Sequence, residues 1–261
     1  MTLNSLKPKI IVVCGPTATG KSDLAVDIAL HIEKNIQNAD GRPQKCEIIS
    51  ADSRQIYKGL DIGTGKITRS EMGGIPHHML DILDPLEANA AGPQSSYSVA
   101  EYKRDAELAI ADILQRGNIP ILCGGTGQYI DAIIFNQSFP DVEPDDALRA
   151  ELEPKTIEEV TEIFNTLNKD KDGNDQLHSV DMQNKRRIIR AIEILKELGH
   201  IPPIVKDERF NSLWIGIDTD DETLKNRISR RLDKRLQAGM IEESQRLLEG
   251  SKLTLERMQK L

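Results

Sequence analysis

The stretch GPTATGKS, residues 15–22, constrains the fold of this chain more than any other. Its spacing is G-x-x-x-x-G-K-[ST], the pattern of a backbone loop that cradles phosphate. Gly15 and Gly20 let backbone N–H groups turn inward around an anion, Lys21 adds a point charge, and Ser22 offers a hydroxyl to Mg²⁺. Such a loop works between a strand and a helix whose N-terminal dipole faces the anion. Both flanks are present. KIIVVC at 9–14, bounded by Pro8 and Gly15, reads as a short buried strand. Leu24, Ala25, Ile28, Ala29 and Ile32 recur at helical spacing and predict a helix over 21–34. The loop is therefore expected to hold a di- or triphosphate along Gly15, Pro16, Thr17, Ala18, Thr19, Gly20, Lys21 and Ser22.

The same alternation continues. CEIIS at 46–50 predicts a second strand, running into Ala51 and Asp52. Residues 60–96 are rich in Gly, Pro and Asp and read as irregular. A helix is predicted over 99–116 with a stop at Gly117, then a strand in IPILCGG at 119–125, then a helix in TGQYIDAII. From 141 to 199 the pattern becomes charged amphipathic helix with no clear strand. SLWIGID at 212–218 restores a strand, and one long charged helix is predicted over 221–248. This order argues for an α/β fold, a three-layer parallel sheet around a phosphate loop (P-loop), with an inserted helical domain. The expected parts are a core at 1–140, an insertion at 141–200 and a return to the core at 201–261. Trp214 and the few other aromatic residues are expected in the core.

Charge narrows the function. The net charge of −8 argues against a non-specific nucleic-acid binder, yet positive charge clusters in KRRIIR at 185–190 and KNRISRRLDKR at 225–235. No apolar run is long enough to span a membrane, and MTLNSLKPK lacks a signal-peptide core. Cys14, Cys46 and Cys123 are widely spaced without metal-ligand spacing, which suits reduced thiols in the cytoplasm. His77 and His78 are adjacent in a neighbourhood poor in other ligands, so a packing role is expected rather than a metal.

An NTPase also needs an acid at a strand end to organise Mg²⁺. The strand at 119–123 ends in Gly124, Gly125 and Thr126, without one, whereas the strand at 46–50 ends at Asp52. At the carboxyl end of a parallel strand Asp52 faces the ligand crevice. It could organise the metal of a kinase, act as general base toward an acceptor, or cap a turn.

Five segments in order, GPTATGKS, ISADSRQIYKGLDIGTGK, GIPHHMLDILDP, YSVAEYKRDA and PILCGGTGQYIDAI, followed by RRIIRAIEI and RISRRLDKRLQAGMIEES, resemble the tRNA dimethylallyltransferase (tRNA isopentenyltransferase) family. The resemblance runs from Lys9 to about Leu248. It implies that the loop holds the pyrophosphate of dimethylallyl diphosphate rather than ATP, with Mg²⁺, and that this phosphate is a leaving group. The acceptor is then the exocyclic amine of an adenine beside the anticodon, in tRNAs that read codons starting with U. Asp52 matches the family's base. Ser50, Ser53, Arg54 and Gln55 are expected along the adenine and the anticodon loop, Thr126 at the target nucleotide, and Arg149 near the reacting groups. Arg186, Arg187 and Arg190 are expected on the tRNA backbone. Arg227 is expected on the pyrophosphate; Arg231 shares its helix face and could serve the pyrophosphate, the tRNA or an ion pair. A flipped base, monomeric action in the cytoplasm and no membrane attachment complete the expectation. Relatives continue past LTLERMQKL with a Gly-Tyr segment and basic helices, so the chain reads as C-terminally short. Three alternatives stay open: an isopentenyltransferase acting on AMP or ADP, a P-loop small-molecule kinase, and an RNA-binding protein without turnover.

Overall fold

A computed structural model describes residues 7–85, 97–169, 180–203 and 205–249. The chain forms two compact units, one comprising Met1–Gln137 with Lys206–Leu261 and the other Ser138–Val205.

The first unit is built on five parallel strands: β1 (Lys9–Cys14), β2 (Cys46–Ser50), β3 (His77–His78), β4 (Ile119–Gly124) and β5 (Asn211–Gly216), in the order β3-β2-β4-β1-β5. Alternation along β1 assigns its side chains to two cores. Ile10 and Val12 pack with Ile49, Leu122 and the apolar faces of α2 (Val99–Gln115) and α3 (Gly127–Ile134). Ile11 and Val13 pack with Ile48, Ile121, Cys123 and Ala25, Val26, Ala29 and Ile32 of α1 (Lys21–Asn35). Helices therefore cover both faces of the sheet. Burying each of these aliphatic side chains contributes about 1.5–3 kcal/mol, which is why the central strands are continuously apolar.

Local chemistry fixes the helix ends. Ser98 and Glu101 form a reciprocal capping box at the start of α2. Tyr102, one turn in, stacks on Tyr129 of α3 with ring centroids 3.8 Å apart, and its hydroxyl donates to the Ser50 carbonyl at 3.0 Å. That bond ties α2 to the end of β2, beside Asp52.

Three elements differ from the sequence reading. The irregular stretch contains β3, in which His77 and His78 pair with Ile48 and Ile49; two residues are too few to show a periodicity. The long helix over 221–248 is two helices, α7 (Asp221–Gln237) and α8 (Met240–Glu249), broken at Gly239 with φ 96°. Trp214 is not a core residue: β5 is an edge strand and leaves the side chain 42% exposed, near Phe135.

The second unit contains α4 (Asp146–Leu152), α5 (Ile157–Leu167) and α6 (Lys185–Leu198). Leu148, Leu152, Val160, Phe164, Ile188, Ile192 and Leu195 form its own core. Thr156 with Glu159 caps α5 by a second capping box, and Asn184 caps α6.

Candidate active site

Because every strand pair is parallel, β1, β2 and β4 end on the same edge of the sheet. A cavity of about 1210 Å³ opens there. The loop 15–22 follows β1, Asp52 follows β2, and Thr126 follows β4; all three line the cavity.

The loop closes on itself before it meets any ligand. Thr19 donates its hydroxyl to the Pro16 carbonyl at 2.9 Å, and the Lys21 ammonium donates to the same carbonyl. Ser22 is exposed to the cavity at the first turn of α1. Burial lowers the pKa of Lys21, and the Arg231 guanidinium pushes in the same direction, while the Asp52 carboxylate acts against it. A bound polyanion would relieve both burdens on the ammonium. Cys123 is buried, and burial pushes its thiol up to about 12, so it stays neutral beside Lys21.

Asp52 is held by its own segment. Its Oδ1 accepts from the Arg54 N–H at 2.8 Å and its Oδ2 from the Gln55 side-chain amide at 3.4 Å. Thr126 is fixed by two bonds to the same strand end: its N–H donates to the Ala51 carbonyl at 3.0 Å and its hydroxyl accepts from Ser53 N–H at 3.1 Å. Ser50, Ser53, Arg54 and Gln55 also line the cavity. The β2 end thus presents a carboxylate, two hydroxyls and an amide as one pre-arranged polar surface.

Three arginines four residues apart on α7, namely Arg227, Arg231 and Arg235, line the cavity from another side. Arg231 donates to the Gly65 carbonyl at 3.1 Å, and Arg235 to those of Gly63 at 3.1 Å and Thr64 at 3.2 Å. Arg227 reaches the Thr19 carbonyl at 3.5 Å. None of the three has a carboxylate partner among the described residues. Sequence reasoning reached Arg231 and missed Arg235, which the continued spacing of four could have supplied. It also missed His77 and Ser244 as lining residues.

The remaining sequence candidates lie in the helical unit. Arg149 holds Glu193 with two bonds, Nε to Oε1 at 2.6 Å and Nη2 to Oε2 at 3.1 Å. Arg190 reaches the same carboxylate at 2.8 Å and the Val142 carbonyl at 2.7 Å. Glu193, only 1% exposed, is thus the anchor of a packing cluster. Arg187 pairs with Asp181 at 3.1 Å, and Arg186 is exposed. His78 is absorbed by buried Glu47, at 2.7 Å, which also accepts from Arg116 and Asn118. No group of three or more His, Cys, Asp or Glu converges among the described residues.

A cationic loop, a carboxylate and an arginine row thus surround one cavity. The family described as "IPP transferase" matches residues 55–261. A relative from Bacillus licheniformis named tRNA dimethylallyltransferase is 37% identical over 246 residues, 92% of this chain and 72% of the relative. The chain belongs to this family. Among solved structures, the full-length tRNA isopentenylpyrophosphate transferase of Bacillus halodurans aligns with a TM-score of 0.60 at 32% identity, over 96% of this chain and 73% of that one. A eukaryotic dimethylallyltransferase acting on tRNA aligns with a TM-score of 0.68 at 27% identity, over 97% of this chain and 59% of that one. Among the described residues no helix is long and apolar enough to cross a membrane.

Proposed function

We propose that the chain transfers a dimethylallyl group from dimethylallyl diphosphate to the exocyclic amine of an adenine next to the anticodon in tRNA, releasing pyrophosphate. One observation carries the mechanism: the cationic cradle and the Asp52 carboxylate line the same cavity, at the ends of β1 and β2, the two strands that flank β4. We read residues 15–22 as a P-loop within a three-layer core, and the helical unit as an insertion that meets RNA. The chain is read as a cytoplasmic monomer that needs no membrane.

The reaction breaks the allylic C–O bond and forms a C–N bond. The bonding pair leaves with pyrophosphate, so negative charge grows on the departing oxygens. The loop N–H groups, Lys21, Arg227 and Arg231 stand where they can stabilise it without reorganising. The adenine amine gives up a proton as the new bond forms, and Asp52 is the carboxylate placed to take it. The Arg54 N–H and Gln55 bonds hold Asp52 in one orientation. Thr126 and Ser53 then bound the adenine.

The donor set fits Mg²⁺ in one way. Ser22 offers a single hydroxyl, and the remaining ligands would come from the diphosphate and water, as this ion prefers. When bound, Mg²⁺ supplies further charge neutralisation on the leaving group. Arg186 and Arg187, exposed on α6, are read as contacts to the RNA backbone. Arg149 and Arg190 are read as holding the unit that carries them.

The assay combines the protein, Mg²⁺, labelled dimethylallyl diphosphate and an anticodon stem-loop with an adenine-rich loop. Label should enter the RNA, and Asp52→Asn should remove most turnover while pyrophosphate still binds. A folded protein that leaves the RNA unlabelled would refute the reading. Faster labelling of AMP would move the acceptor to a mononucleotide.

A further inference from the structure

One wall of the cavity is made largely of backbone, and Leu60, Gly63, Thr64 and Gly65 line it. Thr64 donates its hydroxyl to the Leu60 carbonyl and Lys66 pairs with Asp61 at 2.6 Å, and the rest of the hold comes from residues more than 160 positions further along. Three successive amides, those of Asp61, Ile62 and Gly63, donate to the Glu243 carboxylate at 2.9, 2.8 and 2.8 Å. Successive inward N–H groups make an anion-binding concavity, and here the anion is a side chain. The carbonyls of Gly63, Thr64 and Gly65 accept from Arg235 and Arg231. Six backbone groups of one loop are therefore held by three side chains of α7 and α8.

The fit is specific. Gly65 has φ 60°, and a Cβ there would lie 1.8 Å from Nη2 of Arg235, so the guanidinium occupies the space a side chain would need. Arg235 Nε is buried with no partner among the described residues. Leaving a buried donor unsatisfied costs free energy, so holding Arg235 against the loop is not the cheapest way to pack this face. Glu243 is 6% exposed and does not line the cavity; only the loop it holds does.

We infer that Glu243 is a positioning residue: with Arg235 it fixes the 61–65 wall, and through Gly65 it fixes Arg231, in the arrangement that brings the two reactants together, while touching neither. The identity of those reactants rests on the proposed prenyl transfer; the clamp does not.

Wild type, Glu243→Gln and Glu243→Ala test it on the full chain. Hydrogen exchange read by mass spectrometry should show the 60–66 amides opening in Glu243→Ala while 9–14 and 119–124 stay protected. Transfer to the stem-loop should fall about a hundredfold in kcat, with a smaller change in KM for the prenyl diphosphate, as expected of misplacement, and with a lowered melting midpoint from the three lost hydrogen bonds. Glu243→Gln, which keeps the shape and one acceptor, should recover part of both. Unchanged protection at 60–66 overturns the clamp. Lost protection with wild-type kcat overturns the positioning role. If Glu243→Ala does not fold, the same two measurements on Glu243→Gln decide both points. A wild-type protein that transfers nothing refutes the proposed function alone, because hydrogen exchange still tests the clamp.

Discussion

The arginines of α7 and the Arg149–Arg190 pair of the helical unit have opposite fates. In KNRISRRLDKR, Arg227, Arg231 and Arg235 end on backbone carbonyls. In the helical unit, Arg149 and Arg190 end on the buried Glu193 carboxylate, whereas the Arg187–Asp181 pair stays exposed. A carbonyl orients a guanidinium but leaves its charge whole. A carboxylate cancels the charge and turns the pair into packing. The α7 row is thus held still and still positive, which suits the proposed diphosphate. The unit does not decide this: Arg116 belongs with the cavity-bearing unit, yet it closes on buried Glu47 and is a structural arginine too. What counts is the partner.

Mutation should separate the two groups, most strongly at Glu193. Glu193→Ala strands Arg149 and Arg190 without their carboxylate, and should destabilise the helical unit by about 3–5 kcal/mol in denaturant unfolding. The effect on pyrophosphate binding should be small. Arg231→Ala should do the reverse. Its unfolding midpoint should stay near wild type, while calorimetry shows pyrophosphate binding weakened by about tenfold or more, as loss of a hydrogen bond to a charged group implies.

Glu47 extends the contrast to pH. Burial pushes its carboxyl up, but hydrogen bonds from His78, Arg116 and Asn118 outweigh burial and hold it below its usual 4.5. A carboxyl whose folded pKa is depressed contributes stability above its unfolded pKa and loses it as pH falls through the folded one. Acid unfolding of the wild type should therefore steepen below about pH 4.5, and Glu47→Gln should flatten that slope. The smallest effect belongs to Arg186→Ala. It should leave folding untouched and lower the salt dependence of stem-loop binding by about one unit of slope, the signature of a lost phosphate contact.

Much of the site is legible along the chain. The strand–loop–helix at 9–34 follows from an apolar run, two glycines and a helical period, all local properties. Asp52 and Thr126 are marked by standing just past apolar strands, and parallel pairing then puts them on one edge. Other features leave no local trace. Two residues of β3 show no period, and Trp214 looks like any core aromatic until β5 proves to be an edge. Gly239 within a charged helical pattern does not announce a break that turns α8 back toward residues 61–63.

The glycine loop at 15–22, the acid at the end of β2, the alternation that builds a parallel sheet, and the family are all set by spacing, and spacing is written along the chain. Which arginines stay charged, and that Glu243 holds a loop some 180 residues away, emerge only when the chain is folded. RRIIR and RISRR carry the same charges at similar spacing, so no local property separates them. The acceptor that folding places opposite each guanidinium does.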